Sequence, residues 1–169
     1  HNPNGLKSDH IKSLCIDKSG DLWVGTFNGV HLYNKRNNTF THFLDGASIY
    51  SIKEGEPNEI WLASSKCLFR IDKNSFEIKT YKYNSNDSSS ISNNSINTIY
   101  KDNNQYIWIG TKNGLNLYNR SSDNFIRYTN NRDSRSSISN DFITSICQDD
   151  TGVLWIGTVD GLNRYDENT

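Results

Sequence analysis

The sequence predicts an all-β fold assembled from a tandem repeat, and three observations predict it. The tryptophans Trp23, Trp61, Trp108 and Trp155 are spaced by 38, 47 and 47 residues. An isoleucine stands 12 places before each of them, at Ile11, Ile49, Ile96 and Ile143, so four copies share one register. Apolar and polar positions alternate through each copy, and no window carries an apolar stripe of period 3.6, which disfavours helix everywhere. A unit of roughly 40 to 50 residues containing four short antiparallel strands, repeated in tandem, is the signature of β-propeller blades.

The elements follow in order within each copy. The first strand, Ile11 to Ile16 in copy one, has a small hydroxyl residue two places after its isoleucine (Ser13, Ser51, Thr98, Ser145) and an apolar residue after that (Leu14, Ile52, Ile99, Ile146). The turn Asp17-Lys18-Ser19-Gly20 leads to a second strand, Leu22 to Thr26, whose Trp-Val-Gly-Thr recurs as Trp108-Ile109-Gly110-Thr111 and Trp155-Ile156-Gly157-Thr158. Asn28-Gly29, Asn113-Gly114 and Asp160-Gly161 then mark a tight hairpin, because these pairs tolerate positive φ. A third strand (Val30 to Tyr33, Leu115 to Tyr118, Leu162 to Tyr165) leads to a fourth (Thr39 to Phe43, Asn124 to Tyr128). Aromatic or apolar residues recur ten places after the tryptophan (Tyr33, Ile71, Tyr118, Tyr165) and twenty places after it (Phe43, Tyr81, Tyr128).

Stacking explains why these positions recur. A small sheet has two faces to cover, and neighbouring blades cover both. The tryptophan is expected against the next blade, where burying about 150 to 250 Å² contributes several kcal/mol as an upper bound. Gly25, Gly110 and Gly157, two places on, leave room for close sheet approach. Copy two departs from the pattern, with Gly55 in place of the turn aspartate, Ala63-Ser64 in place of Gly-Thr and Lys66-Cys67 in place of Asn-Gly. It reads as a diverged blade with a different hairpin and strands around Glu59 to Ala63 and Lys66 to Ile71. The blades occupy about residues 5–46, 47–83, 90–130 and 137–169.

Composition excludes several function classes. The balance of 18 basic and 19 acidic residues offers no electrostatic footprint for nucleic acid or an anionic membrane. No apolar run approaches the roughly 20 residues of a membrane span, and His1-Asn2-Pro3-Asn4 has no leader character, so this piece is expected to make no membrane contact. The chain begins and ends in mid-pattern, as a fragment would. Cys15, Cys67 and Cys147 are odd in number and lack Cys-x-x-Cys spacing, so they read as small buried apolar residues rather than disulfides or metal ligands.

No motif announces catalysis. There is no nucleophile elbow, phosphate-binding glycine loop or His-Glu-x-x-His, and neither a metal nor another cofactor is expected. His31 falls where Asn116 and Asn163 stand in other copies and reads as a polar strand position. Asp17-Lys18-Ser19-Gly20-Asp21 has the look of a calcium loop but lacks the closing bidentate carboxylate, and its equivalents Asp102-Asn103-Asn104 and Asp149-Asp150-Thr151-Gly152 read as turns. The Ser- and Asn-rich connections end in a similar tag, Ser90-Ile91-Ser92-Asn93-Asn94 and Ser137-Ile138-Ser139-Asn140-Asp141, with Gly5-Leu6-Lys7-Ser8-Asp9 as its first copy. Leu6, Ile91 and Ile138 are expected to plug blade junctions. The polar residues beside them share a propeller face with the hairpins, so Asp9, His10, Phe27, Asn28, Asn94, Lys112, Asn113, Asp141 and Asp160 form the candidate ligand-binding surface.

The pattern Ile-x-Ser-Ile-x-x-Asp-x-x-Gly-x-Leu-Trp-Ile-Gly-Thr-x-x-Gly-Leu-Asn-x-Tyr, complete in Ile143 to Tyr165 and nearly so in Ile11 to Tyr33 and Ile96 to Tyr118, resembles the two-component-regulator propeller repeat. That repeat builds the periplasmic sensor region of hybrid two-component histidine kinases of Bacteroidetes. The resemblance implies a receptor anchored in the inner membrane, a glycan-derived ligand and control of polysaccharide-utilisation genes, with the kinase elsewhere in the parent protein.

Two other readings compete with a sensor. A propeller enzyme acting on polysaccharide, as lyase or hydrolase, would place catalytic carboxylates in a central funnel, whereas the inner positions Ser13, Ser51, Thr98 and Ser145 are ordinary. A purely structural interaction scaffold is the third reading, since fold does not dictate function. Strand counting adds an expectation about assembly. The fourth copy stops at Asp166-Glu167-Asn168-Thr169 after its third strand, so the piece is expected to be a partial propeller that self-associates through exposed blade faces, most simply as a homodimer.

Overall fold

The computed structural model describes residues 5–134 and 136–165. The readings that rest on residues 1–4 and on 166–169 lie outside the described residues. The first sheet is β1 (Ile11–Ile16), β2 (Leu22–Thr26), β3 (Gly29–Asn34) and β4 (Thr39–Phe43), in that spatial order. The second is β5 (Ile49–Glu54), β6 (Glu59–Ser64), β7 (Leu68–Asp72) and β8 (Ile78–Tyr81), and the third is β9 (Ile96–Lys101), β10 (Ile107–Thr111), β11 (Gly114–Asn119) and β12 (Asn124–Tyr128). The described part of the fourth is β13 (Ile143–Gln148), β14 (Leu154–Thr158) and β15 (Gly161–Tyr165). Every neighbouring pair is antiparallel.

These sheets are propeller blades. Their first strands form the inner edge, with β1 beside β5, β5 beside β9 and β9 beside β13. Three apolar clusters hold the blades together, each built on one tryptophan and the next blade. Trp23 and Val30 pack with Ile49, Ile52, Ile60 and Ile71. Trp61 and Leu68 pack with Ile96, Ile99, Ile107 and Tyr118. Trp108 and Leu115 pack with Ile143, Ile146 and Leu154, with Tyr165 at the margin. The residue twenty places after each tryptophan lies against the same indole, at ring-centroid distances of 5.9 Å for Phe43, 5.6 Å for Tyr81 and 5.8 Å for Tyr128.

Two local devices set this geometry. The turn aspartate accepts the indole N–H through one carboxylate oxygen, at 3.1 Å for Trp23 on Asp17, 2.7 Å for Trp108 on Asp102 and 2.7 Å for Trp155 on Asp149. Its other oxygen accepts turn amides, so the supposed calcium loop is a turn that latches the tryptophan. The glycine two places after the tryptophan is the second device. A Cβ on Gly110 would lie 2.6 Å from Ile143 Cγ2 of the next blade, so only glycine lets the sheets approach this closely.

The tag also has a structural reason. Asn116 Oδ1 accepts from Ser92 N at 2.9 Å, and Asn163 Oδ1 accepts from Ser139 N at 2.7 Å. These bonds seat Ile91 in the junction between blades two and three, and Ile138 against the next one.

The diverged second blade keeps its strands but changes its hairpin. Ser64 Oγ takes over the threonine role, donating to Cys67 O at 2.6 Å and accepting from Cys67 N at 3.0 Å. The third strand begins at Leu68 rather than Lys66 because Lys66 and Cys67 are consumed by this turn. Gly55 supplies no acceptor, so Trp61 Nε1 is buried without a hydrogen bond.

One expectation needs correction. Cys67 is buried, but Cys15 is half-buried and Cys147 exposed. Cys15 packs at the margin of the first blade junction, whereas Cys147 pairs with Trp155 on a face that no described blade covers. His31 holds the polar strand position expected of it, in β3, with its side chain fully buried.

Candidate functional site

The start of each inner strand lies beside the hairpin that joins the second and third strands of its blade, as the pairing of Ile11 with Thr26 shows. This end of the array carries the nine candidate residues. Each inner strand is irregular there, with the register slipping between Ile11 and Ser13, Ile49 and Ser51, Thr98 and Ile96, and Ile143 and Ser145. A bulge takes its extra residue out of the ladder and re-aims its side chain. The residues so placed are Lys12, Tyr50, Asn97 and Thr144, a different one in every blade.

The structure brings together two of the expected residues and adds a third. His10 and Phe27 meet edge to face at 5.4 Å, and Lys12 Nζ lies 4.3 Å from the Phe27 ring centroid. All three are exposed, which makes this the one exposed aromatic–cation group at this end of the first blade among the described residues.

The other expected residues are distributed, one or two to a blade. The Asn28 side chain accepts from Gly46 N at 2.7 Å, Asn94 from Tyr83 N at 2.7 Å and Asp141 from Asn130 N at 2.6 Å, so these three close loops. Asn113 and Asp160 sit at hairpin tips, their amides donating to Thr111 and Thr158. Lys112 is exposed at a hairpin tip, and Asp9 is exposed beside β1.

Sequence reading missed Lys12 and Tyr50. The available signal was the position directly after the recurrent isoleucine, which changes in every copy between that isoleucine and a small hydroxyl residue. Asn97 is different, because its Nδ2 donates to Ile143 O at 2.7 Å and ties two blades.

Beneath the first hairpin lies a histidine pair, His31 buried and His42 half-buried. His31 Nε2 is 3.2 Å from Thr26 Oγ1, and His31 Nδ1 is 2.7 Å from His42 Nδ1. Thr26 already donates to Gly29 O, so the hydrogen-bond pattern assigns N–H donation from His31 to Thr26 and from His42 to His31. Burial, reinforced by the neighbouring His42, pushes His31 down to about 4. It is therefore neutral at pH 7, and it stabilises the hairpin rather than presenting charge.

Among the described residues no group of three or more His, Cys, Asp or Glu side chains could hold a metal ion. Asp123 accepts three side-chain hydrogen bonds, from Lys79, Tyr81 and Tyr118. Burial would raise it, but Lys79, Tyr118 and Tyr81 bond to it and hold it at about 2. It braces the second and third blades far from the hairpin end and is committed as an acceptor.

The Two component regulator propeller family matches residues 5–28, 90–113 and 137–160. These are the tag, inner strand, latch turn and tryptophan strand of blades one, three and four. Blade two, which lost the latch aspartate and the Asn-Gly hairpin, is not matched. Two extracellular domains of hybrid two component systems from B. thetaiotaomicron share the fold. One superposes with a TM-score of 0.80 at 24% identity over 96% of this chain and 22% of that chain. The other gives 0.65 at 22% identity, over 96% of this chain and 27% of that chain. An ancestral GH74 enzyme also shares it, with a TM-score of 0.67 and 18% identity over 93% of this chain and 23% of that chain. The chain thus spans less than a third of the length of each. None of the curated proteins compared with it matches the chain. Register, latch, hairpin and fold thus agree with the two-component regulator propeller repeat in blades one, three and four, the three matched segments.

Proposed function

We propose that this chain is ligand-sensing propeller from the periplasmic region of a hybrid two-component histidine kinase, that the receptor is anchored in the inner membrane, and that its ligand is derived from a glycan. The observation that carries the reading is a division of roles along the repeat. The recurring residues close blade junctions, turns and latches, while the residue after each inner isoleucine varies and is set out of the ladder by a bulge. Lys12, His10 and Phe27 then offer what a sugar requires: an aromatic surface for the C–H face of a pyranose, with a cation and an imidazole beside it to bond hydroxyl or carboxylate oxygens.

The extracellular domains that share this fold support a sensor. The GH74 enzyme that shares it keeps a glycan-active enzyme as the competing reading, so the test has two arms. A panel of oligosaccharides is titrated calorimetrically into the chain, and the same mixtures are assayed for new reducing ends. The expected result is binding of one glycan class without product release, weakened at least tenfold by Phe27→Ala, whose side chain is exposed and bears little on folding. Product release that disappears on Asp9→Asn, Asp141→Asn or Asp160→Asn would replace the sensor with an enzyme. Binding that ignores Phe27→Ala, Lys12→Ala and Tyr50→Ala would move the site elsewhere.

A further inference from the structure

The group formed by His10, Lys12 and Phe27 owes its openness to the repeat and not to where the sequence starts. The hairpin position of Phe27 is exposed as Ser65 and Lys112 in blades two and three, and the bulge position of Lys12 is exposed as Tyr50, although blades two and three have a described blade on both sides. At the same bulge position in blade three, Asn97 donates to Ile143 O of blade four, so this position faces the seam with the following blade. Lys12 therefore belongs to the seam between blades one and two. Blade two also steadies the hairpin, since Ser48 Oγ donates to Phe27 O at 3.1 Å.

Cations are used differently along the blades. Away from the hairpins, Arg70, Lys73, Lys79 and Arg120 all meet carboxylates, those of Asp17, Glu54, Glu56, Glu59 and Asp123. At the hairpin end, Lys12, Lys66 and Lys112 are exposed, one from each of three blades, and none of them is in an ion pair among the described residues. Two carboxylates of that end are already engaged, Asp45 by Lys7 and Asp141 by the Asn130 amide. Asp9 and Asp160 are exposed and form no ion pair with Lys12.

Lys12 differs from the other two lysines in being held. Its ammonium lies 4.3 Å from the Phe27 ring centroid, and His10 packs on the same ring at 5.4 Å. A lysine fixed over a ring has already given up rotamer freedom, so meeting an anion costs it less. Charge alone binds weakly at an exposed site. The ring supplies the apolar contact that charge lacks.

We propose that this site takes an acidic sugar. Carboxylate or sulfate oxygens accept from the Lys12 ammonium, a hydroxyl bonds the His10 imidazole, and the C–H face of the pyranose lies against the exposed remainder of the Phe27 ring. Lys12 sets the preference for charge. The inference rests on the glycan reading above and narrows it to an anionic class, because a neutral sugar leaves the ammonium without a counter-charge.

The test is calorimetric titration of the chain with two panels of probes. One holds uronate oligosaccharides, each beside its carboxyl-reduced neutral form, and the other sulfated oligosaccharides, each beside its desulfated form. The expected result is a charged probe bound at least tenfold tighter than its neutral counterpart, with affinity falling as salt is raised, because exposed charges are screened. The panel that contains it names the anion. Lys12→Gln should weaken that probe at least tenfold and Lys12→Arg should retain it; Lys12 is exposed, and circular dichroism checks that both variants fold. Neutral forms bound as tightly as charged ones, and lost on Phe27→Ala, would keep the glycan reading and overturn the acidic class. Charged probes bound equally by wild type and Lys12→Gln would overturn the role of Lys12. Binding of no probe in either panel would overturn the proposal together with the reading on which it rests.

Discussion

Replacing Trp108 and Trp155 in turn by alanine separates what the repeat contributes within a blade from what it contributes between blades. Both residues occupy the same strand position and donate to their latch aspartates at the same 2.7 Å. Trp108 is 1% exposed and lies among Leu115, Ile143, Ile146, Leu154 and Ile156. Its indole also meets Tyr128 at 5.8 Å and Tyr165 at 5.1 Å. Burial of about 150 to 250 Å² at about 25 cal/mol per Å² sets an upper bound of about 4 to 6 kcal/mol. Large-to-small core substitutions support about 3 to 5 kcal/mol for Trp108→Ala. The latch adds little to this, because Asp102 keeps the amide of Tyr106 at 2.9 Å. Trp155 has the latch but no described blade beyond it, so in this chain Trp155→Ala should cost about 1 kcal/mol. Urea unfolding followed by far-ultraviolet circular dichroism gives both values, with Lys112→Ala as a control expected within about 0.5 kcal/mol of wild type. Equal midpoint shifts for the two tryptophan variants would refute the inter-blade role.

Three further outcomes are expected. Gly110→Ala should cost about 1 to 3 kcal/mol by overpacking, since its Cβ would lie 2.6 Å from Ile143 and 2.8 Å from Thr98; an unchanged midpoint would mean that the two sheets separate freely. Lys73→Met should cost roughly 2 kcal/mol and move acid unfolding to higher pH. Burial would raise Asp17, but Lys73 with the Asp21 amide and the Trp23 indole outweighs it, so the carboxylate sits below its ordinary range and loses stability as pH falls through that range; a variant with an unchanged acid midpoint would contradict this. His31 titrates at about 4 when folded and at 6.5 when not. The folded state therefore refuses a proton that the unfolded chain accepts, and stability present above pH 6.5 is lost as pH falls towards 4, by up to about 3 kcal/mol. His31→Asn, the residue blades three and four use, should flatten that slope in chemical denaturation; a slope of unchanged steepness would place the titration on another group.

What was legible in the sequence is what the fold repeats. The tryptophan, the two inner-strand apolar residues, the turn aspartate and the glycine each meet the same kind of partner in successive blades, so their spacing encodes the junction without any knowledge of it. What was not legible depends on pairs formed across elements that differ from copy to copy. Asn116 and Asn163 are held by Ser92 and Ser139 of their tags, but the first tag offers Lys7 at that place. The first blade closes the position with His31 on His42 instead. Nothing in the alternation distinguishes that histidine from a solvated one. The bulge positions escaped the sequence reading for a related reason. A bulge breaks the period of two on which the strand reading rests, so Lys12 and Tyr50 looked like ladder residues and were passed over for hairpin tips. Three of the residues chosen from the tags and turns, Asn28, Asn94 and Asp141, turn out to cap backbone amides. A polar residue recurring in register is therefore better evidence of closure than of binding. In an array built this way, a binding residue is to be sought where one copy differs from the next and the backbone has left the ladder to expose it.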